Sequence, residues 1–242
     1  MANTVPLNRV LSKMGLASRS QANAIISAGR VYVNHACILD PLHPVDMAQA
    51  RITLDGAAAK PASKIYLALN KPTGLVTTRS DEQGRATVYD CLGEWKNQQG
   101  LAPVGRLDKA SSGLLLFSND TRWAATVTDP AQRLPKTYHV QINRHLTDEQ
   151  LAQMRSGMAL AAGEVTAPAQ VQVLRQGDKT QWLEIVLEQG LNRQVRRMVE
   201  MLDAEVQRLI RVAIGPVALG DLPKGACRRL RADEVSAIVA PR

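Results

Sequence analysis

The chain has 242 residues, 45% of them hydrophobic, which is enough to bury one large core or two modest ones and excludes a disordered chain. No apolar run approaches the ~18 residues of a membrane span, so we expect a soluble protein. Lys and Arg number 30 against 22 Asp and Glu, and the formal net charge of +8 favours a polyanionic partner without requiring one.

The first predicted elements are two helices and a strand. Apolar residues at helical spacing indicate a short helix that Gly15 ends: Leu7, Val10, Leu11 and Met14. Ser18 and Gln21 have the spacing of a capping box, which opens a second helix with Ala22, Ile25 and Ile26 inward and Gly29 at its end. Residues 31–33 alternate as a strand does.

This first unit is basic. The first 39 residues contain no Asp or Glu. They contain four basic residues that are candidates for RNA binding: Arg9, Lys13, Arg19 and Arg30. A solvated helix face is the alternative. The motifs at 7–11, 15–19 and 29–34 resemble the RNA-binding module first known from ribosomal small-subunit protein four. The small residues at 56–63 suit a linker, which predicts domains at 1–60 and 61–242.

The second region contains more strands than helices. Strands are expected at 65–69, 101–104, 114–118, 137–142, 170–175, 182–187 and 205–214. Thr147 and Gln150 form a capping box for one helix, and a second is expected at about 192–202 with Asn192 as its N-cap. Since many strands are joined without a helix, the fold class is α+β with a mixed, mostly antiparallel sheet.

Three stretches could carry chemistry. In 105–117, Asp108 stands between two bases ahead of an apolar strand, which fits either a surface loop or a carboxylate at the rim of a sheet. In 190–198, helical spacing turns Arg193 and Arg197 outward and Arg196 toward a cleft, although a basic surface helix is equally consistent. Tyr138 in its predicted strand is either core filling or part of a site.

Taken together and in order, these motifs resemble a known family. They are Asn70-Lys71-Pro72-x-Gly74, Gly105-Arg106-Leu107-Asp108, Lys136-x-Tyr138 and Gly190-x-Asn192-Arg193-Gln194-Val195-Arg196-Arg197-Met198. The chain is similar over about 5–232 to the RsuA/RluB-type ribosomal RNA pseudouridine synthases. The resemblance implies a catalytic sheet domain with a central cleft, behind the N-terminal RNA-binding module.

The resemblance also implies a reaction and its residues. A uridine in RNA is isomerised, with no redox change and no cofactor. Asp108 would be the essential carboxylate, acting on C1′, on C6 of the base or on a ribose proton, and these three remain open. Arg196 would pair with it, with Arg193 as the second choice. Tyr138 would pack on the base, and Leu107 would supply part of an apolar wall.

RNA contacts are expected from further residues. Arg106 would brace the gap that the extruded uridine leaves, while Lys71, Lys136, Arg193 and Arg197 would contact the RNA, mainly at its phosphates. By the same resemblance, the motif Gly-Leu-Asn-Arg-Gln at 190–194 favours large-subunit ribosomal RNA over small-subunit RNA or tRNA as the target. A non-catalytic ribosome-assembly factor and a glycoside hydrolase are the competing functions.

No metal ligands, a monomer and a cytoplasmic location are also expected. The four histidines are scattered and offer no zinc motif. The odd count of three cysteines without a CxxC motif is typical of a reducing compartment.

Overall fold

A computed structural model describes residues 4–240. Within them the helices are Leu7–Lys13 (α1), Arg19–Ser27 (α2), Thr121–Thr128 (α3), Asp148–Ser156 (α4), Gln194–Glu200 (α5) and Ala232–Val239 (α6). The strands are Thr4–Pro6 (β1), Val31–Val33 (β2), Ala36–Cys37 (β3), Pro44–Asp46 (β4), Ile52–Leu54 (β5), Ala57–Ala58 (β6), Tyr66–Lys71 (β7), Ala102–Val104 (β8), Ser112–Ser118 (β9), Lys136–Ile142 (β10), Gln170–Gln176 (β11), Gln181–Leu187 (β12), Val206–Ile214 (β13), Val217–Ala218 (β14) and Cys227–Arg229 (β15). None of the helices in this part of the chain has the length and apolar character to cross a membrane.

The N-terminal unit packs α1 and α2 beside a small antiparallel sheet with the strand order β3-β2-β5-β6. Its core is made by the residues at helical spacing, since Leu7, Leu11 and Ile26 are fully buried. The capping box is confirmed: the backbone N–H of Gln21 donates to Ser18 Oγ at 3.3 Å, and the Ser18 N–H donates to Gln21 Oε1 at 3.0 Å. The helix–turn–helix–strand order of this unit is therefore as predicted.

The predicted linker at 56–63 starts too early. Ala57 and Ala58 form β6, which pairs with β5. Asp55 and Gly56 make the turn between these strands with φ of 52° and 79°, as an Asp-Gly hairpin turn requires. The connection without regular structure is thus 59–65.

The two units touch directly. The Ala62 N–H donates to Met14 O at 2.8 Å. Gly100 of the second unit packs on Gly15, and a Cβ at Gly100 would lie 2.5 Å from the Gly15 oxygen. The second unit therefore contacts the end of α1.

The second unit is built on a nine-stranded sheet whose main path is β11-β12-β10-β13-β9-β7-β15. The pairing of β13 with β9 is parallel, and the other pairings are antiparallel. This confirms the mixed, mostly antiparallel sheet. All seven residues of β9 are buried because the strand is central and covered on both faces, which explains its continuous apolar run.

Two of the helices, α3 and α6, were not predicted from the sequence. α3 contains three Thr and one Trp, which are modest helix formers, and its signal is the N-cap Asp120, which accepts from the backbone N–H groups of Arg122 and Trp123. α6 packs beside it through Ile238, in a core shared with Trp123. On the other half of the sheet, α4 and α5 share a second core with β10, β12 and β13. The first turn of α5 thereby lies next to Tyr138 and the loop that carries Asp108.

Candidate active site

A cleft of about 450 Å³ opens where the loop between β8 and β9 faces β10 and the segment before α5. Its lining contains Gly105, Arg106, Leu107, Asp108, Ser111, Tyr138, Leu187, Gln189, Gly190, Leu191, Asn192, Arg193, Gln194, Val195 and Leu209. The three motifs that the sequence places far apart are therefore brought to one cavity by the fold.

Asp108 stands in the loop between β8 and β9. Its backbone carbonyl accepts from the Ser111 N–H at 3.0 Å. Its carboxylate Oδ2 lies 3.8 Å from Arg193 Nη1, and the two side chains are 39% and 46% exposed. A half-exposed ion pair of this length contributes little to stability.

Arg193 has an unusual backbone. It is the N-cap of α5 in the left-handed conformation, with φ 48° and ψ 33°. The predicted helix start at Asn192 is therefore wrong. Gln194 stabilises the turn instead, because its side-chain oxygen accepts from the Leu191 N–H at 3.1 Å and its amide donates to Gln189 at 3.1 Å. A left-handed non-glycine residue costs on the order of 1–3 kcal/mol and is often found at a functional site.

Arg196 lies deeper and holds the Asp108 loop by its main chain. Its Nη2 donates to the Ala110 carbonyl at 3.1 Å and to Ser111 Oγ at 3.4 Å. Burial, helped by the charge of Arg193, lowers the pKa of Arg196, and the charge of Asp108 opposes this. The ion pair that the structure gives Asp108 is with Arg193, so the expected direct pairing with Arg196 is corrected: the guanidinium of Arg196 donates instead to the Ala110 carbonyl, the Ser111 hydroxyl and the Val206 carbonyl.

Lys71 is fully buried beneath the same loop. Its ammonium donates to the carbonyls of Pro72, Asp108 and Ser111 at 3.0, 3.1 and 2.9 Å. Burial lowers the pKa of Lys71 to about 8, against the opposing charge of Asp108. The expectation that Lys71 contacts phosphate is wrong, because the ammonium cannot be reached from solvent.

Arg211 is a third buried cation at this loop. Its Nε donates to Leu114 O at 2.8 Å and its Nη1 to Arg106 O at 3.3 Å. None of the sequence motifs described above includes Arg211. The available signal was an arginine between the aliphatic residues Ile210 and Val212 of β13, a strand that also contains Arg208. Together, Lys71, Arg196 and Arg211 bind five carbonyls along 106–114 and put three positive charges behind Asp108.

Gly113 makes this arrangement possible. It lies opposite Arg211 in the parallel pairing of β9 with β13. Its φ is 101°, and a Cβ there would lie 2.2 Å from the Arg211 carbonyl oxygen. Only glycine lets the two backbones approach this closely.

Tyr138 and Leu107 line the cleft near Asp108. Tyr138 is half-buried on β10, between Ile185 of β12 and Arg211 of β13. Leu107 is buried and adds apolar surface to the wall. Lys136 begins β10 and is half-buried. It is not one of the residues that line the cleft.

The remaining predicted RNA contacts fall into two groups. Arg9, Lys13 and Arg19 are exposed on the N-terminal unit, and Arg106 is exposed at the edge of the cleft. Arg30 is exposed but engaged, since its Nε and Nη2 donate to Asp55 at 2.8 and 2.6 Å.

Arg197 is also engaged. It pairs with Glu164 at 2.5 Å and donates to the Ala161 carbonyl at 3.0 Å. The expectation that it faces solvent or RNA phosphate is therefore corrected: its charge is already balanced by Glu164.

Comparison with known proteins agrees with this geometry. Residues 65–201 match the family model described as RNA pseudouridylate synthase, and residues 5–52 match the S4 domain. An uncharacterised RNA pseudouridine synthase of Aquifex aeolicus is 33% identical over 234 residues, 96% of this chain and 92% of the relative. Ribosomal large subunit pseudouridine synthase B of Bacillus subtilis is 33% identical over 237 residues, 97% and 95% of the two chains. A crystal structure of a pseudouridylate synthase covers 97% of this chain and all of its own, with a TM-score of 0.69 and 26% identity.

The fold and the cleft define an RNA-modifying enzyme with an appended RNA-binding domain. The chain belongs to the RNA pseudouridylate synthase family, and its N-terminal unit is an S4 domain. The resemblance noted from the sequence motifs is thereby confirmed.

Proposed function

We propose that the chain converts a specific uridine of large-subunit ribosomal RNA to pseudouridine, with Asp108 as the catalytic carboxylate. One observation carries the proposal: Asp108 lies in a cleft with Tyr138, and three buried cations hold the loop that presents it. The large-subunit target is supported by the 33% identical Bacillus subtilis relative, whose name states that activity.

The reaction rearranges bonds without an external reactant. The N1–C1′ bond of the uridine breaks, the uracil turns, and C5 forms the new bond to C1′. C5 then loses its proton, and N1 gains one. Asp108 acts on C1′, on C6 or on a ribose proton, and an ionised carboxylate serves each route.

Tyr138 and Leu107 contain the detached base. The aromatic face of Tyr138 stacks on uracil while no covalent bond holds it, and its hydroxyl lies on the side where C5 loses its proton. Leu107 supplies apolar wall that limits escape of the base. Both residues line the same cavity as Asp108.

The guanidinium groups have separate roles. Arg193 orients the Asp108 carboxylate from the first turn of α5. Arg196 is a positioning residue, because it donates to the Ala110 carbonyl and the Ser111 hydroxyl of the loop. This division replaces the single clamp that the motif implies.

RNA binds along basic side chains of both domains. The S4 domain presents Arg9, Lys13 and Arg19 to phosphate, and Lys136 stands at the start of β10. Extruding a stacked uridine costs a few kcal/mol. Arg106, exposed at the cleft, braces the space that the uridine leaves.

The S4 domain and the catalytic domain meet near residue 60, between the end of β6 and the start of β7. We place the enzyme in the cytoplasm, where ribosomal RNA is modified. We also propose that it acts as a monomer.

The test is to incubate the purified protein with ribosomal RNA that lacks pseudouridine and to map the modified positions. We expect one modified site in large-subunit RNA, and Asp108→Asn should abolish it while RNA binding persists. Modification at an undiminished rate by Asp108→Asn would contradict the mechanism. Modification confined to small-subunit RNA or tRNA would contradict the target.

A further inference from the structure

A second cleft adjoins the active site. It encloses about 320 Å³ and is lined by Val76, Thr77, Thr78, Ser80, Asp81, Glu82, Gln83, Arg85 and Arg106. Arg106 is also the one residue that lines both this cleft and the catalytic cleft. The two cavities are therefore neighbours with a single guanidinium side chain between them.

The second cleft offers unused hydrogen-bonding groups. The Thr77 hydroxyl donates to Leu107 O at 2.7 Å, and the Thr78 hydroxyl donates to Ser80 O at 2.7 Å. By contrast, within residues 4–240 no hydrogen bond is formed by the side chains of Ser80, Glu82 and Gln83. A hydroxyl, a carboxylate and an amide are the groups with which proteins read the edges of bases.

The charge of this cleft is balanced. Arg85 binds Asp81 through two side-chain contacts of 2.7 and 3.0 Å and through its backbone N–H at 2.9 Å. These contacts lower the pKa of Asp81 to about 2. Asp81 and Glu82 are thus offset by Arg85 and Arg106, and a lining without net charge suits a base and ribose better than a phosphate.

The wall of the second cleft is tied to the catalytic loop. Val76 donates to Ala86 O at 3.1 Å, and Val88 donates to Val76 O at 3.0 Å, which closes the loop on itself. Thr77 accepts from the Leu107 N–H at 3.4 Å and donates to the Leu107 carbonyl. Occupancy of the second cleft is therefore linked to the position of the residue next to Asp108.

Arg106 is placed to separate two nucleotides. It is exposed, and within the described chain its guanidinium has no hydrogen-bond or ion-pair partner. Adjacent nucleotides are joined by one phosphodiester. A guanidinium that lines two clefts holding adjacent nucleotides lies near that phosphate and can bind it with two N–H groups.

We propose that the second cleft binds the nucleotide that flanks the target uridine, with its base against Ser80, Glu82 and Gln83 and with Arg106 on the connecting phosphate. This inference rests on the proposed function, because it takes the catalytic cleft to hold the target. It makes the loop at 76–87 a determinant of which uridine is modified, since binding of the flanking base in the second cleft accompanies binding of the target uridine.

The experiment couples a protein change to an RNA change. The probe is a short RNA hairpin with the mapped target uridine, in which the nucleotide on either side is made abasic. For the natural chain, loss of the bound base should lower kcat/KM about tenfold, the range of one base contact. For the Ser80→Ala, Gln83→Ala double variant the same RNA change should cost less than about twofold, because the contacts are already gone.

The control is Gln176→Ala, an exposed glutamine on the edge strand β11. It should keep the tenfold penalty of the natural chain. Equal penalties for the natural chain and the double variant at both flanking positions would overturn the inference while leaving the proposed function intact. A natural chain that forms no pseudouridine in any RNA would instead overturn the proposed function.

A binding measurement gives a readout without turnover. 2-Aminopurine at the flanking position should brighten when the natural chain binds the hairpin, since the base leaves its stack. The double variant, confirmed as folded by its melting temperature, should give a smaller change. An identical change of fluorescence in both proteins would show that the flanking base does not bind in the second cleft.

Discussion

Arg193 and Asp108 face each other in the cleft, with Nη1 of the arginine 3.8 Å from Oδ2 of the carboxylate. The backbone of Arg193 is left-handed at the N-cap of α5. This strained turn directs the arginine side chain at the carboxylate, while Arg196 points at the carbonyls of Ala110 and at Ser111. The two arginines therefore contact different groups of one loop.

The first prediction separates these arginines. Arg193→Gln should lower kcat/KM by about 10- to 100-fold, in the range of a lost charged contact to a reacting group. The melting temperature should stay within about 2 °C, because a half-exposed pair adds little stability. Arg196→Gln should lower both, since the Ala110 carbonyl and the buried Ser111 hydroxyl lose their donor, at about 1–3 kcal/mol.

Arg122→Gln is the matched control for this pair. Arg122 is exposed on α3 and outside the catalytic cleft. Its substitution should change neither kcat/KM nor the melting curve. Equal destabilisation by Arg193→Gln and Arg196→Gln would show that the proposed division of roles is wrong.

The second prediction concerns pH and Lys71. Its pKa is about 8 in the folded chain against an ordinary value of 10.5. Between these values the unfolded chain holds more protons at this site, so raising the pH stabilises the folded state through Lys71. The slope is at most about 1.4 kcal/mol per pH unit. This contribution is complete above pH 10.5 and is lost as the pH falls through 8.

Urea unfolding at several pH values from 7.5 to 10 measures the effect. The free energy of unfolding of the natural chain, minus that of Lys71→Met, should rise with pH. Lys71→Met should itself be less active, because the carbonyls of Asp108 and Ser111 lose their donor. A pH-independent difference between the two proteins would rule out a lysine with a lowered pKa.

The third prediction concerns Gly113. Alanine there would put a Cβ 2.2 Å from the Arg211 carbonyl at a φ of 101°. We expect Gly113→Ala to separate β9 from β13 and to give little folded protein. Gly225→Ala is the control, with φ 81° and nothing within 4 Å of its Cβ, and it should cost only about 1–2 kcal/mol. Comparable yields and melting temperatures for both variants would contradict the close approach.

The local elements follow from local patterns in the sequence. The capping box at Ser18 and Gln21 and the apolar run of β9 depend on neighbours a few residues apart, so the sequence shows them directly. The mostly antiparallel sheet follows from the many strands that are joined without an intervening helix. By contrast, α3 is stabilised by packing on α6, more than 100 residues later, and its own residues signal it weakly.

Side-chain partners within the site could not be predicted in the same way. Lys71 looks like a phosphate contact because a turn motif normally lies at the surface, but β7 carries it under the Asp108 loop. Arg30 looks unpaired because Asp55 follows 25 residues later and is brought beside it only by the pairing of β2 with β5. Helical spacing turned Arg196 away from solvent, and the residue is buried, but it does not line the cleft toward which it was predicted to point. The spacing could not give the left-handed turn that brings Arg193 to the carboxylate.

The last prediction concerns the S4 domain and salt. Arg9, Lys13 and Arg19 are exposed and lie on α1 and α2, so each can displace a counterion from RNA. The triple change to Gln should weaken RNA binding and reduce the log–log salt slope by about 2, since each phosphate contact contributes about 0.7–0.9. The measurement is the dissociation constant for a ribosomal RNA fragment between about 50 and 300 mM KCl.

Arg30→Gln is its control, because Asp55 already binds this guanidinium at 2.6 Å. Its salt slope should change by less than about 0.5, below the value for one phosphate contact. An unchanged slope in the triple variant would remove the helices of the S4 domain from the RNA interface. A reduction of the salt slope by Arg30→Gln as large as a third of the triple effect would show that RNA displaces Asp55 from this arginine. The two results together therefore identify which basic residues of the S4 domain contact phosphate.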